Sequence, residues 1–279
     1  MELWFSESHS DNVRFQIKID KHLFSGASAF QRIDIMESTE LGRILTLDGL
    51  LMITEKDEFV YHEMMVHVPM AVNPDIKNVL VIGAGDGGTV KRLVQYPNIQ
   101  SITMVEIDSL VVEKCREYFP ALTAGFHDPR VNLLFADGLK YVRNFSSAFD
   151  LIIVDSTDPF GPGEGLFTRE FYGSCHKALT SNGIMVNQHE SPFYDCYKDT
   201  VRRTHNLLKV FFPVAEVYQA HIPTYPSGHW LFGFSSKQYR GTEIKKERWE
   251  QLSIPCNYYN TALHAGAFAL PQYAKELLQ

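Results

Sequence analysis

The feature that most constrains the fold is a series of short, continuous apolar runs after residue 57, each followed by a loop with glycine or aspartate. Such runs are typical of parallel strands that are buried on both faces of a sheet. Segments with apolar residues at helical spacing, such as residues 109–118 and 168–179, separate them. The pattern predicts repeated βαβ units in a doubly wound α/β sheet, with strands at residues 78–82, 101–107, 131–136, 150–154 and 183–187.

Residues 12–56 have a different pattern, in which apolar and polar side chains alternate. The alternation is clear at residues 13–19 and 31–35 and predicts half-buried strands. Asp48 and Gly49 lie between two apolar runs and predict a hairpin turn. We therefore predict two domains, a small β domain at residues 1–56 and a larger Rossmann-like domain at residues 57–279.

Composition argues against several classes of protein. The chain has 26 basic and 33 acidic side chains, a net charge of −7, and no block of Lys and Arg that would bind nucleic acid. No apolar run reaches the length of a membrane span, and the N-terminus has acids where a signal peptide has bases. The four cysteines lie far apart, which argues against a zinc knuckle or a disulfide framework. We expect a cytoplasmic protein with reduced thiols and no nucleic-acid or membrane partner.

Three elements at the ends of consecutive predicted strands suggest a nucleoside site. The glycines of residues 83–88 permit a close backbone approach to a ligand. Glu106, about twenty residues further on, can accept hydrogen bonds from ribose hydroxyls, and Asp137 can accept one from an adenine amino group. Singly, these elements also fit a plain turn, a solvated strand end and a helix N-cap. Together, at adjacent strand ends, they predict that a nucleoside binds here.

Asp86 lies inside the glycine turn, where a carboxylate would oppose a phosphate. The spacing of the glycines differs from GxGxxG, and no Lys-Ser/Thr pair follows them as in a phosphate loop. Asp86 therefore favours a ligand with a cationic end. The alternative is that Asp86 only caps the following helix.

Asp155 and Asp158 lie three residues apart, at a predicted strand end and in a loop shaped by Pro and Gly. They can face one pocket, although the segment also fits a capped turn. Aromatic residues and carboxylates around an amine combine cation–π attraction with charge-assisted hydrogen bonds. No pair of histidines has a spacing typical of metal ligands, so we predict no metal site. Further candidates around an amine lie outside this loop: Tyr61, His62, Gln188 and Tyr225.

These segments closely resemble the bacterial spermidine synthases, which are putrescine aminopropyltransferases. The resemblance extends over nearly the whole chain, from residues 3–4 to residues 267–271, and its motifs are long and ordered. It implies a small N-terminal β domain on a methyltransferase-like Rossmann domain, in a homodimer or homotetramer. The motifs that carry it are residues 48–49, 54–64, 81–88, 105–108, 155–159, 161–162 and 222–228.

The resemblance also implies the reaction and a role for each matching residue. Decarboxylated S-adenosylmethionine, a co-substrate, gives its aminopropyl group to putrescine, so that spermidine and 5'-methylthioadenosine form without a cofactor. Asp155 matches the catalytic base, and Asp86 matches the residue that holds the aminopropyl amine, with His62 as a nearby contact to the same amine. Contacts to the thioadenosine are expected from Gln31, Glu106, Asp137, Gly138 and Pro162. Contacts to the acceptor amine are expected from Asp158, Tyr61, Gln188 and Tyr225.

The sequence differs from the family at two places, and three alternative functions stay open. Ala84 replaces a glycine that many relatives have, and residues 189–193, a candidate lining of the acceptor pocket, are less like the family. The acceptor could instead be cadaverine, agmatine or spermidine. The same fold also fits an S-adenosylmethionine-dependent amine methyltransferase or a binding protein without turnover. A methyltransferase would release adenosylhomocysteine rather than methylthioadenosine.

Overall fold

The structure, a computed structural model, describes residues 2–156 and 161–279. Within them, the N-terminal strands form a hairpin of β1 (Leu3–Ser10) and β2 (Val13–Ile19), and a four-stranded antiparallel sheet. The predicted alternation holds in β2, where Ile17 and Ile19 are buried between exposed neighbours. The strands of the second sheet are β3 (Lys21–Ala27), β4 (Arg32–Ser38), β5 (Gly42–Leu47) and β6 (Leu50–Thr54).

The hairpin turn predicted at residues 48–49 joins β5 to β6. Asp48 has a φ of 50° and Gly49 a φ of 81°. A two-residue turn of type I′ needs positive φ at both positions, and Asp-Gly is among the sequences that adopt it most readily. This turn fixes the register in which Leu47 pairs with Leu50.

The larger sheet is mostly parallel, as predicted. Its strands are β7 (Asn78–Gly83), β8 (Ser101–Glu106), β9 (Val131–Phe135), β10 (Phe149–Asp155), β11 (Leu179–Gln188), β12 (Val214–His221) and β13 (His229–Ser236). Their order is β12-β13-β11-β10-β7-β8-β9, in which β7 to β11 run parallel and β13 pairs antiparallel with β11 and β12. The predicted parallel strands are all present. The antiparallel pair at the edge was not predicted.

Helices cover both faces of this sheet, which explains why its strands read as continuous apolar runs. Val81 packs with Met64 of α1 on one face, and the next residue, Ile82, packs with Phe171 of α6 on the other. The helices are α1 (Glu58–Val72), α2 (Gly88–Leu93), α3 (Ser109–Tyr118), α4 (Pro120–Thr123), α5 (Gly138–Val142), α6 (Arg169–Ala178), α7 (Asp195–Phe211), α8 (Lys246–Gln251), α9 (Thr261–Ala267) and α10 (Gln272–Leu277).

The four-stranded N-terminal sheet packs against the larger domain through an apolar cluster. Ile33 and Leu45 of the sheet contact Val111 and Phe119, in and just after α3. Strand β6 ends at Thr54 and α1 begins at Glu58, and the division at residues 56 and 57 stays a prediction. Across the described part of the chain, none of the helices is long and apolar enough to cross a membrane.

Candidate active site

A cavity of about 210 Å³ opens at the carboxyl edge of the larger sheet, beneath the N-terminal sheet. Leu45 and Met52 of the N-terminal strands line one side, and the loops after β7, β8, β9 and β10 line the other. Open α/β sheets bind ligands at this edge. The structure brings these predicted residues together around the cavity: Gln31, Tyr61, His62, Asp86, Glu106, Asp137, Gly138, Asp155 and Tyr225.

The polar residues follow the order of the strands along this edge. Asp137 follows β9, Glu106 ends β8, Asp86 lies in the turn after β7, Asp155 ends β10, and Gln188 ends β11. These strands are direct neighbours in that order. The chain therefore presents a row of carboxylates to a ligand that lies across the strand ends, with the switch point of the sheet at β7.

The glycine turn brings the backbone of β7 unusually close to that of β10. Gly83 has a φ of 87°, and a Cβ atom there would lie 2.0 Å from the Asp155 carbonyl oxygen. The next residue, Ala84, donates its backbone N–H to that same oxygen over 2.9 Å. Ala84 itself has a φ of 66°, a conformation that glycine adopts more readily than alanine.

Glu106 and Asp108 organise the end of the cavity near β8. Glu106 is buried and accepts the Asp108 backbone N–H over 2.9 Å. Burial raises the pKa of Glu106 to about 7, against the opposing effect of that hydrogen bond. The Asp108 carboxylate accepts from the Ser28 hydroxyl at 2.6 Å and from the Gln31 side-chain amide at 3.0 Å. It thereby holds Gln31 of the N-terminal sheet over the strand end.

Asp137 has the helix-capping contact that its alternative interpretation predicted. Its Oδ1 accepts the backbone N–H of Lys140 over 3.2 Å at the start of α5. The residue nevertheless lines the cavity together with Gly138. Capping and ligand contact are therefore compatible at this position.

His62 links α1 to the glycine turn through two carboxylates. Its Nδ1 lies 2.6 Å from Glu58 Oε2 and its Nε2 lies 3.2 Å from Asp86 Oδ1. An imidazole that faces an acceptor with both nitrogens donates twice and is cationic. Burial lowers the pKa of His62, but Asp86 and Glu58 outweigh this effect and raise the pKa to about 10. Arg92 also pairs with Glu58, over 3.1 Å.

This arrangement changes the interpretation of His62. The contact shows that His62 holds Asp86 in place, and a cationic imidazole would repel an ammonium group; the predicted contact of His62 with an amine stays a prediction. The fit is tight, because a Cβ atom at Gly88 would lie 2.1 Å from the His62 ring. Asp86 also accepts the Gly88 backbone N–H over 2.6 Å, although the N-cap of α2 is Gly87 and not Asp86.

Asp155 is held by Thr89 and Tyr61. The Thr89 hydroxyl donates to Asp155 Oδ2 over 2.6 Å, and the Tyr61 hydroxyl also interacts with this carboxylate. Burial and the negative charge of Asp86 raise the pKa of Asp155, while His62, Thr89 and Tyr61 lower it. A carboxylate with a raised pKa accepts protons more readily, as a general base must.

A second cavity of about 40 Å³ adjoins the first and shares Met52, Tyr61, Ser156 and Tyr225 with it. Gln188 lines this second cavity rather than the first. Residues 189–193 contribute Glu190, whose Oε1 accepts from the Gln188 amide over 3.2 Å. Glu7 of β1 and Trp230 of β13 also line it. The sequence suggested this cavity only indirectly, through the expectation that residues 189–193 line the acceptor pocket.

Tyr225 lines both cavities, and its hydroxyl is hydrogen-bonded to the backbone of the N-terminal sheet. The hydroxyl donates to the Met52 carbonyl oxygen over 2.6 Å, and the ring meets Trp230 edge-on at 4.8 Å. Asp57 fixes the Tyr225 loop, because its carboxylate accepts from the backbone and hydroxyl of Thr224. Tyr225 can therefore offer its ring to a ligand.

Two predicted residues cannot be placed in the site. Asp158 lies outside the described residues. Pro162 falls in a 3-10 helix at Gly161–Phe167, but its side chain is not described. Sequence reasoning missed Thr89, Asp108, Glu58 and Glu7. Only Glu58 had a usable signal, because it precedes His62 by one helical turn.

Comparison with known proteins identifies the family. Residues 58–246 match the model for the spermine/spermidine synthase domain, and residues 3–55 match the spermidine synthase tetramerisation domain. The chain belongs to the spermine/spermidine synthase family. The resemblance seen in the sequence is thereby confirmed.

Individual relatives match this chain over all or nearly all of its length. The chain is 63% identical over 279 residues to a polyamine aminopropyltransferase of Clostridium perfringens, covering all of this chain and 99% of the relative. A crystal structure of spermidine synthase in complex with the transition state analogue AdoDATO matches with a TM-score of 0.96 and 41% identity, covering 99% of this chain and 94% of the other. Spermidine synthase from Thermotoga maritima matches with a TM-score of 0.94, 40% identity and the same coverage. The chain is thus an enzyme of polyamine biosynthesis that transfers aminopropyl groups.

Proposed function

We propose that the chain transfers the aminopropyl group of decarboxylated S-adenosylmethionine to putrescine, releasing spermidine and 5'-methylthioadenosine. The observation that carries this proposal is the order of the carboxylates along the sheet edge. A nucleoside that lies over β9 and β8 places its sulfonium near β7, and the next strand end supplies Asp155. The second cavity then receives the acceptor.

The donor binds with its nucleoside at the β8 and β9 end of the main cavity. Glu106 accepts hydrogen bonds from the ribose hydroxyls, and Asp137 accepts one from the adenine amino group. Gln31 closes the cavity from the N-terminal sheet because Asp108 holds its amide. Gln31, Glu106 and Asp137 line one cavity, which supports this binding mode.

Asp86 pairs with the ammonium of the aminopropyl group. One of its oxygens, Oδ1, is engaged by His62 and by the Gly88 backbone N–H. The carboxylate is therefore fixed before the donor binds, and its other oxygen remains for the ammonium. Intact S-adenosylmethionine carries an additional carboxylate in this place, which Asp86 repels.

The chemical step is a direct displacement on carbon. Asp155 takes a proton from the ammonium of the acceptor, and the freed lone pair of the nitrogen attacks the methylene carbon bound to the sulfonium. The N–C bond forms as the C–S bond breaks, and the electron pair of the C–S bond moves to sulfur, which becomes a neutral thioether. Tyr61 and Thr89 keep the Asp155 carboxylate aligned with the incoming amine.

The acceptor extends from Asp155 into the second cavity. Putrescine has an ammonium at each end, and the carboxyl side chains of Glu7 and Glu190 are among the residues that line this cavity. The Tyr225 ring, and Gln188 at the end of β11, complete its lining. The matched relatives named spermidine synthase support putrescine over the other amines.

The proposal is tested by incubating the purified enzyme with each donor and a panel of four amines: putrescine, cadaverine, agmatine and spermidine. Products are identified by mass, with Asp155→Asn as the control for background reaction. We expect spermidine and methylthioadenosine from putrescine and the decarboxylated donor. Faster reaction with agmatine or spermidine would refute the acceptor assignment, and adenosylhomocysteine as product would refute the donor assignment.

We also infer that the enzyme assembles as a homodimer or homotetramer through its N-terminal hairpin. Leu3, Trp4 and Val13 of β1 and β2 are large apolar residues that are 51%, 50% and 39% exposed. A second copy that packs against this hairpin would bury apolar surface that is now exposed. Light scattering on the wild type and on Trp4→Glu tests the inference: the variant should have the smaller mass, and a monomeric wild type would contradict it.

A cytoplasmic location and a reaction without cofactor stay predictions.

A further inference from the structure

A second group of chemically reactive side chains lies outside both cavities, on α1 and in the segment after α8. Glu63 and His67 are one helical turn apart on α1, and both are buried. Cys256 is a partly exposed free thiol far away in sequence. One carboxylate oxygen of Glu63, one ring nitrogen of His67 and the Cys256 sulfur all lie within 4.8 Å of one another.

His67 has one ring nitrogen to spare. Its Nδ1 lies 2.7 Å from the Tyr96 hydroxyl, which itself accepts the Trp249 indole N–H over 2.9 Å. Its Nε2 is fully buried and has no hydrogen-bond partner among the described residues. A neutral imidazole has one N–H and one lone pair, so in the tautomer in which Nδ1 donates to the Tyr96 hydroxyl, Nε2 carries the lone pair. A buried nitrogen without a partner is costly, and a bound ligand would remove that cost.

Glu63 is oriented in the same way. Its carboxylate accepts three backbone N–H groups, from Asn257, Tyr258 and Tyr259, at 2.8 to 2.9 Å. A carboxylate has about four acceptor positions, so one remains. Fixed outer partners of this kind, on both a histidine and a carboxylate, are typical of metal ligands.

We propose that Glu63, His67 and Cys256 form a binding site for a divalent transition metal ion such as Zn²⁺. One oxygen, one nitrogen and one sulfur ligand suit zinc, with water as the fourth ligand, better than they suit the hard cations Mg²⁺ and Ca²⁺. Burial and Glu63 raise the pKa of Cys256 to about 12, so the ion must displace the thiol proton as it binds. Arg92 opposes a cation here, but Glu58, which lies 3.1 Å away and also pairs with His62 and Lys91, offsets part of its charge.

The ion would join the segment after α8 to the helix that supplies the active site. Cys256 precedes the three residues whose N–H groups hold Glu63, and α1 carries Tyr61 and His62 immediately before Glu63. The proposed role is structural, because none of the three ligands is among the residues that line the two cavities. It therefore does not depend on the proposed acceptor or donor.

Cobalt is the probe that tests this site, because Co²⁺ replaces Zn²⁺ and its spectrum reports a thiolate ligand. The full-length enzyme is stripped with a chelator and titrated with Co²⁺. We expect one ion per chain, a near-ultraviolet thiolate-to-cobalt band, and loss of that band on addition of Zn²⁺. Cys256→Ser should abolish the band and weaken binding at least tenfold, whereas Cys196→Ser, which removes an exposed thiol elsewhere, should retain both.

Thermal unfolding gives a second measurement. Zn²⁺ should raise the midpoint of the wild type and of Cys196→Ser, but not that of Cys256→Ser. His67→Gln should lose the ion as well, and if this buried change prevents folding, the partly exposed Cys256→Ser still decides the question. No cobalt band in the wild type, or a band that persists in Cys256→Ser, would overturn the proposal.

Discussion

The hydrogen bond from Thr89 to Asp155 gives the most specific prediction for the reaction. Thr89 is fully buried, and its hydroxyl lies 2.6 Å from Asp155 Oδ2. A hydrogen bond to a charged group contributes about 1.5–3 kcal/mol. The bond favours the ionised carboxylate, so Thr89→Val, which removes it at nearly constant volume, raises the pKa of Asp155 above its wild-type value.

The sign of the pH effect follows from the role of Asp155. A general base acts when it is deprotonated, so kcat/KM rises with pH through the pKa of the base. In Thr89→Val this rise should move to higher pH. At pH values below the rise, kcat/KM should fall roughly tenfold to a hundredfold, and it should approach the wild-type value at high pH.

The assay is a pH profile of kcat/KM for wild type, Thr89→Val and Thr89→Ser. Serine retains the hydroxyl, so its profile should stay near that of the wild type. A purely structural role for Thr89 would instead lower activity by the same factor at every pH. That uniform loss, or an unshifted profile in Thr89→Val, would refute the reasoning.

Three further changes test the remaining assignments. Asp155→Asn keeps the shape of the side chain but removes the basic oxygen. Turnover should therefore fall about 10²- to 10⁴-fold, while calorimetry should show unchanged donor binding. Turnover like that of the wild type would exclude Asp155 as the base. Glu106→Gln should weaken binding of methylthioadenosine about tenfold or more with little loss of stability, and equal affinity would exclude ribose binding by Glu106. We expect the wild type to prefer the decarboxylated donor over intact S-adenosylmethionine roughly tenfold to a hundredfold. Asp86→Asn should weaken binding of the decarboxylated donor and reduce this preference. If calorimetry shows the same ratio of the two affinities in the variant, Asp86 is only a helix cap.

The sequence predicted the parallel strands well because their signal is local. A strand that is buried on both faces must be apolar throughout, and the predicted ends of β7 and β8 lie within one residue of the observed ends. Strand β11 begins earlier than predicted, at Leu179, because residues 180–182 are partly or fully exposed and carry no apolar signal. The antiparallel β12 and β13 were missed because the direction of pairing is not a property of either strand alone.

The sequence could predict those residues of the site that lie at the carboxyl edge of the sheet. Asp137, Glu106, Asp86 and Asp155 each follow a strand, so their order in the fold follows once the strand order is known. What could not be predicted is which partner each carboxylate already has. His62 reaches Asp86 only because α1 packs beside the glycine turn, a contact between elements that residue spacing does not encode.

The charges around His62 show why those partners matter for function. Glu58 and Asp86 flank the imidazolium, and Arg92 and Lys91 also pair with Glu58, so two carboxylates and three cationic groups form one network below the cavity. An isolated Asp86 would be costly to bury, and it would raise the pKa of Asp155 further by repulsion. His62 offsets part of that charge, because Asp86 raises the pKa of Asp155 whereas the neighbouring His62 lowers it. The enzyme can thus keep two carboxylates in one desolvated cleft and use them for different cations.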